Sequence, residues 1–245
     1  MKIPGVEVRR VARCGSTNSV LLQERSLAMP LLLVAGEQTA GRGRRGRRWH
    51  SAPGAGLTFS LARRIRRPAR ELAALSLVAG VAAARALRAL GVAPAALKWP
   101  NDLLAGGAKL GGILVETRVA ARDTLAVFGI GINCHGAGEL ARRLRRPVAS
   151  LDQFIVPDTE EVIVRIVSSL MLALDAFEAE GFEAAKGEWE AMHAHAGQRL
   201  KVRLADGRSV TGIATGLADD GALSLQTRGG LRTIRSGVVL SARAA

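Results

Sequence analysis

Three stretches of this 245-residue chain combine residue types able to do chemistry. Between Gly41 and Arg48, three glycines alternate with Arg42, Arg44, Arg45, Arg47 and Arg48. Glycine lets backbone approach a ligand closely, and guanidinium presents a planar fork of donors suited to phosphate and carboxylate, so the run reads as an anion-binding loop. It is not a P-loop, because no Gly-Lys-Ser/Thr closes it. Nor is it a dinucleotide fingerprint, because Gly41, Gly43 and Gly46 are followed by a Ser/Pro/Gly stretch and not by a helix. Taken alone, a solvated basic loop or a nucleic-acid contact fits the run equally well.

The second stretch is Lys98-Trp99-Pro100-Asn101-Asp102 with Lys109-Leu110-Gly111-Gly112 shortly after it. A lysine entering a strand beside glycines can set its ammonium where a carboxylate meets a phosphate, neutralising both. Singly, Trp99 reads as core packing and Asn101-Asp102 as a turn. The third is Gly129-Ile130-Gly131-Ile132-Asn133-Cys134, a strand end with exposed backbone and a polar amide. Asn133 alone is a turn residue, and Cys134 a small apolar one. His50, His135, His193 and His195 form no metal-ligand or triad pattern, and no metal site is expected.

These segments need a frame. Ser16-Thr17-Asn18 opens a helix carrying Val20, Leu21 and Leu22. Leu31 to Gly36, Leu57 to Ala62, Ala96 to Trp99 and Thr124 to Ile132 read as strands, and Leu103-Leu104 with Ile113 to Thr117 as a hairpin around Gly106-Gly107. Pro68 and Gly91 bracket a long Ala/Leu-rich helix. Asp158-Thr159-Glu160-Glu161 opens another, and a further helix covers Glu183 to His193. Interspersed strands and helices make the body, residues 1–195, α/β or α+β and not all-helical. From 196 to 245, short alternating runs separated by Asp206-Gly207, Asp219-Asp220-Gly221 and Gly229-Gly230 suggest a small closed β-barrel.

Composition bounds the function. Hydrophobic residues at 48% and charged residues at 23% exclude a disordered chain. The net charge is +14, and all but five of the 35 cations are arginine, which favours an anionic ligand. Two distant cysteines, no apolar leader and an uncharged stretch, Leu72 to Ala84, too short to span a bilayer point to a soluble cytoplasmic protein with no membrane partner.

The order Ser-Thr-Asn, Glu-Gln-Thr-Ala-Gly-Arg-Gly-Arg-Arg-Gly-Arg-Arg-Trp, Lys-Trp-Pro-Asn-Asp-Leu, Lys-Leu-Gly-Gly-Ile-Leu-Val-Glu, Gly-Ile-Gly-Ile-Asn, then a small β tail, resembles the biotin protein ligases over essentially the whole chain. The resemblance implies an α+β catalytic fold like that of class II aminoacyl-tRNA synthetases, a mixed central sheet with flanking helices over residues 1–195, and a small SH3-like β-barrel over 196–245. It implies ATP-dependent biotinylation of a lysine on a biotin carboxyl carrier protein through biotinyl-5′-AMP, with biotin and ATP as substrates and Mg²⁺ as cofactor. Its biotin site would be lined by Ser16, Thr17, Asn18, Gln38, Arg42, Gly43, Arg44, Lys109 and Gly111. Arg42, Arg44, Arg45, Trp49, Asn101, Lys109 and Asn133 would meet the nucleotide, and Lys109, Arg44 and Asp102 would carry catalysis.

With Ser-Thr-Asn beginning at residue 16, the resemblance is to the monofunctional form, which lacks an N-terminal DNA-binding domain and has no specific DNA target. An edge strand of the central sheet could pair two chains as a homodimer. Two other readings remain: lipoate ligase or octanoyl transferase, disfavoured by the Arg/Gly loop and the β tail, and a basic nucleic-acid-binding module. The last draws on the Arg63–Arg67 and Arg142–Arg146 runs, but only 3% of residues are aromatic, so stacking platforms are scarce.

Overall fold

A computed structural model describes residues 1–50, 54–119 and 123–244. Ser51 to Pro53, part of the stretch expected to follow the arginine loop, lie outside the described residues. Seven strands form one sheet in the order β1-β2-β3-β7-β6-β5-β4. They are β1 (Glu7–Cys14), β2 (Leu31–Gln38), β3 (Gly56–Ile65), β4 (Ala95–Lys98), β5 (Asp102–Ala105), β6 (Ala108–Val119) and β7 (Thr124–Asn133). Only β1 and β2 run parallel, so the sheet is mixed, as expected.

Period-two alternation gives the sheet two different faces. Phe59 and Leu61 of β3 and Phe128, Ile130 and Ile132 of β7 join the main core under α2 (Leu75–Ala89), α4 (Thr159–Glu180) and α5 (Glu183–Ala191). On the opposite face Leu31, Leu33, Ala62, Leu125 and Val127 pack with Leu21 of α1 (Thr17–Leu22) in a smaller cluster. Further along that face the apolar residues give way to Thr58, Ser60, Gly129 and Gly131. The cavity described below opens there.

The sequence did not disclose three elements. Strand β1 is edge-placed and mostly exposed, and its Glu/Arg-rich residues lack the apolar face that betrays a strand. Helix α3 (Ala137–Leu144) is only eight residues long and buries Ala137 alone of its short apolar stripe, and β12 (Gly237–Arg243) carries only a brief apolar run, Val238 to Leu240. Strand β2 also reaches Gln38, two residues beyond the expected end. The helical run Ala69–Ala89 is long and apolar enough in composition to cross a membrane, a length the uncharged stretch alone understates, yet it is mostly buried against the sheet and α4.

Strands β8 (Arg199–Leu204), β9 (Ser209–Leu217), β10 (Leu223–Thr227), β11 (Gly230–Ile234) and β12 make an antiparallel sheet in the order β11-β10-β9-β8-β12. Its inner residues Leu200, Val202, Leu223 and Leu225 are continuous with the main core. Polar contacts fix the docking. The Trp99 indole Nε1 donates to the Gly221 carbonyl at 3.2 Å, and Leu97 exchanges backbone hydrogen bonds of 2.8 Å with Met192 and Ala194. Trp99 is therefore a core residue with its one donor satisfied, as its side-chain type suggested.

Candidate active site

The floor of the cavity is one straight row across the ladder. Thr58 pairs with Gly131, Gly131 with Gly112, Gly112 with Asp102, and Asp102 with Lys98. Residues directly opposite in adjacent strands share a face, and strands lie about 4.8 Å apart, so the row from Thr58 to Lys98 spans roughly 19 Å. All five residues line the cavity.

Lys109 joins this face through an irregularity. Along an unbroken strand Lys109 and Gly112 would point to opposite sides, but the β5–β6 register shifts between Leu103 and Leu104, with Leu110 as the extra residue. A bulge re-aims the residues beside it. As a result the Lys109 ammonium stands beside Gly112 and pairs with the Asp102 carboxylate. By the same parity Gly111 faces the other side, where an added Cβ would collide with the Gly131 carbonyl, and it does not line the cavity. Gly112 lines it instead.

At the other end a hydrogen-bonded chain joins four elements. Ser16 caps α1, accepting from the Ser19 amide, and so places Thr17 and Asn18 in the cavity wall. The Thr17 amide donates to Gln38 Oε1 at 2.8 Å, and its hydroxyl to the same atom at 3.0 Å. The Ser60 hydroxyl lies 2.6 Å from both Thr17 Oγ1 and Asn18 Oδ1. Asn18 Nδ2 donates to the Leu114 carbonyl at 3.1 Å and to Glu116 at 2.9 Å, and Arg42 Nη2 donates to both oxygens of Glu116. These short polar groups suit a ligand rich in amide-like donors and acceptors.

The Gly/Arg loop folds over this floor as a flap. The Trp49 amide donates to the Gly41 carbonyl at 2.9 Å and the Gly43 amide to Arg47 at 2.7 Å, closing a turn over Arg44–Gly46 in which Arg45 adopts φ +57°. The Arg45 guanidinium reaches Ser236 Oγ at 3.2 Å, just before β12. Trp49 packs on the sheet and not only on its own loop. Its indole covers Gly131 and touches Gly112, and a Cβ on Gly131 would collide with the ring. Asn18 stands equally close over Gly129. The glycines of β7 thus make room for two side chains from elsewhere in the chain.

The electrostatics are one-sided. Among the described residues eight cations line the cavity against one carboxylate, Asp102. Burial holds the Arg44 guanidinium below its ordinary value, with Arg45 adding to the effect and Asp102 opposing it. Lys98 is also pushed down, chiefly by burial, then by Lys109, Arg146 and Arg47, against the pull of Asp102. Such a field concentrates a polyanion and repels a cation. Among the described residues no group of three or more His, Cys, Asp or Glu could hold a metal ion by itself.

Of the residues marked out by sequence, Ser16, Thr17, Asn18, Gln38, Arg42, Gly43, Arg44, Arg45, Trp49, Asn101, Asp102 and Lys109 all line this cavity. Asn101 does so with its amide already engaged, donating to the Ile113 carbonyl at 2.7 Å. Asn133 lies in an adjoining smaller recess with Trp49 and Lys109, where it donates to the Ala149 carbonyl at 3.0 Å. Glu116, Ser60 and Ser236 were not anticipated. Glu116 follows Gly112 by four on the same strand face, so alternation alone would have found it once the bulge was known.

Residues 2–133 match the Biotin/lipoate A/B protein ligase family, and residues 195–240 match the Biotin protein ligase C terminal domain. The chain is 32% identical over 240 residues to a biotin–acetyl-CoA-carboxylase ligase of Mycobacterium tuberculosis, covering 95% of this chain and 88% of that protein. It is 34% identical over 233 residues to the protein of the same name from Paracoccus denitrificans, covering 91% and 96%. Among solved structures, the biotin protein ligase of Aquifex aeolicus in complex with biotin and ATP aligns with a TM-score of 0.81 at 31% identity, covering 98% and 99% of the two chains. This chain belongs to the Biotin/lipoate A/B protein ligase family, among its biotin protein ligases.

Proposed function

We infer that this chain joins biotin to a lysine of a biotin carboxyl carrier protein at the expense of ATP. The observation that carries the reading is the row from Thr58 to Lys98, polar at one end and cationic at the other, beneath a flap rich in arginine. In the first step a carboxylate oxygen of biotin attacks the α-phosphorus of ATP. The bond from that phosphorus to the bridging oxygen breaks, and pyrophosphate departs with the electron pair. Two anions must approach each other, so cations at the meeting point lower the barrier. Lys109 and Arg44 stand there, with Asp102 holding the Lys109 ammonium in place.

In the second step the amine of the acceptor lysine attacks the acyl carbon of biotinyl-5′-AMP, and AMP leaves. Asp102 is the only carboxylate among the described lining residues, and we assign it the proton released by that amine. Ser16, Thr17, Asn18 and Gln38, with Arg42, Gly43 and Arg44 of the flap, hold biotin. Arg45, Trp49, Asn101 and Asn133 flank the nucleotide. Asp102 would be the one protein group to help hold a Mg²⁺ carried in on the ATP phosphates, and the ion would supply further charge neutralisation there. A mixed anhydride hydrolyses when wet, so the flap must exclude water.

The competing readings lose ground at specific residues. Much of the basic run at 63–67 is tied up internally: Arg63 pairs with Asp175 and Glu178, Arg64 with Asp123, and Arg67 with Glu71, so it offers little to a nucleic acid. The biotin-ligase-type C-terminal part weighs against a lipoate or octanoyl substrate. Cys14 and Cys134 are both free, which accords with the reducing cytoplasm where we place the reaction. Incubation with biotin, MgATP and a carrier domain tests the assignment. Biotin-dependent exchange of pyrophosphate into ATP and labelling of the carrier are expected, and absence of both would overturn it.

A further inference from the structure

Residues 196–245 carry eight lysines and arginines against three side-chain carboxylates. Each carboxylate is taken: Asp206 pairs with Arg208, Asp219 with Lys186 and Asp220 with Arg235. None of the three remains for strand β8. Its period-two alternation buries Leu200 and Val202 and turns Arg199, Lys201 and Arg203 outward. Opposite them on β12 stand Arg243 beside Arg199, Ser241 beside Lys201 and Val238 beside Arg203. Opposite residues share a face, so the four cations lie on one side of the sheet over roughly 13 Å, the rise of four strand residues. Among the described residues no hydrogen bond or ion pair meets any of these four side chains. Their neighbours on β9 are Ile213, Thr211 and Ser209, none of them charged.

This face runs to the rim of the cavity. Val238 lines the cavity and shares its side of the sheet with Arg203, so the row through Lys201 to Arg199 leads away from the opening. Leu240, the extra residue where the β8–β12 register shifts, is exposed on the same strand as a single apolar contact. An acceptor protein is too large to enter the cavity whole, so its recognition falls on the surface around the opening. We propose that the outer face of β8 and β12 receives an acidic surface of the carrier domain and holds it while its lysine reaches the acyl carbon. This rests on the ligase reading above. Exposed cations suit the task, because screened charges steer an encounter and set its orientation without holding the product tightly. A nucleic acid would meet the same charge but no stacking platform, since residues 196–245 contain no aromatic side chain.

The test separates acceptor binding from adenylation. Lys201→Glu/Arg203→Glu reverses two charges on the face, and Lys201→Gln/Arg203→Gln removes them. Arg228→Glu/Arg232→Glu makes the same change in net charge at and just before β11, on the far edge of the sheet. Each is assayed for biotin-dependent ATP–pyrophosphate exchange, which needs no acceptor, and for labelling of a carrier domain over a range of its concentration and of salt. The reversal should raise the KM for the carrier about 10- to 50-fold and the neutral pair about three- to fivefold, with kcat and exchange unchanged. In the wild type that KM should climb between about 0.05 M and about 0.3 M salt, and in the neutral pair it should climb less. The β11 pair should behave as the wild type. An unchanged KM in the reversal would overturn the proposal, as would an equal rise in the β11 pair, which would make the effect one of net charge. Loss of exchange together with transfer would also overturn it, tying the face to the flap. So would salt-sensitive binding of a duplex oligonucleotide that the reversal abolishes while the KM for the carrier holds. A wild-type chain inactive in both assays would instead overturn the ligase reading itself.

Discussion

Glu116 and Arg42 form a two-point clasp between strand and flap: one guanidinium nitrogen donates to both carboxylate oxygens, at 2.9 and 3.0 Å. The same carboxylate accepts from Asn18. One side chain therefore joins the α1 wall of the cavity to its cover, and whatever settles against Asn18 bears on the closure of the flap. Replacing Glu116 with Gln keeps its size but weakens the clasp. We expect biotinyl-5′-AMP to escape about tenfold faster, a change of about 1.4 kcal/mol. Adenylate release followed by rapid mixing checks this, and an unaltered escape rate would count against the clasp.

Gly131→Ala tests how Trp49 is seated. The new methyl would occupy the place of the indole, which must swing off the sheet. The expected outcome is a folded protein with altered tryptophan fluorescence and at least about tenfold weaker nucleotide binding, in line with the 1–3 kcal/mol cost of overpacking. Gly138→Ala, where an added methyl meets nothing, should leave both readings unchanged.

Lys109→Met removes the cation between the two reacting anions. Adenylate formation should fall by about 10²- to 10³-fold, as for loss of one donor to a developing charge. Single-turnover formation of biotinyl-5′-AMP measures it directly. A fall confined to the KM for biotin would make Lys109 a binding residue only.

Trp99→Phe removes the bond to the Gly221 carbonyl and leaves that acceptor buried. A loss of about 1–3 kcal/mol in urea-induced unfolding is expected. If stability holds, this bond adds nothing to the docking of the C-terminal sheet.

His193 supplies a pH dependence. It is buried beside Trp189 and His195, and burial, with a smaller effect from His195, takes its imidazole from 6.5 down to about 4. The folded protein resists a proton that the unfolded chain accepts. Stability is therefore complete above about pH 6.5 and declines as pH falls towards about 4, by at most roughly 3 kcal/mol. Unfolding at pH 7 and pH 5 should show the decline in the wild type and a flatter response in His193→Gln.

How far the sequence reveals this site depends on what each element buries. Strands β3 and β7 carry an apolar alternation that marks them at once, and Lys109, Arg44 and Asp102 stand in motifs whose residue types announce their chemistry. Strand β1 buries almost nothing, so no pattern marks it. The exchange of Gly111 for Gly112 in the cavity wall turns on a single extra residue, Leu110, whose bulge lies inside the local β5–β6 hairpin but leaves no mark in the apolar alternation. Contacts such as those of Glu116 with Arg42 and Ser236 with Arg45 join residues 74 and 191 positions apart, and only the closed fold brings them together.

Strand β7 comes after β3 and β6 in the chain yet lies between them. Until it inserts, Thr58 and Lys98 belong to separate hairpins, and no continuous bed exists for a ligand to bridge. A chain still emerging from the ribosome therefore has no means of generating a reactive anhydride. Assembly of the ligand bed thus waits on β7, the last strand of the sheet in chain order.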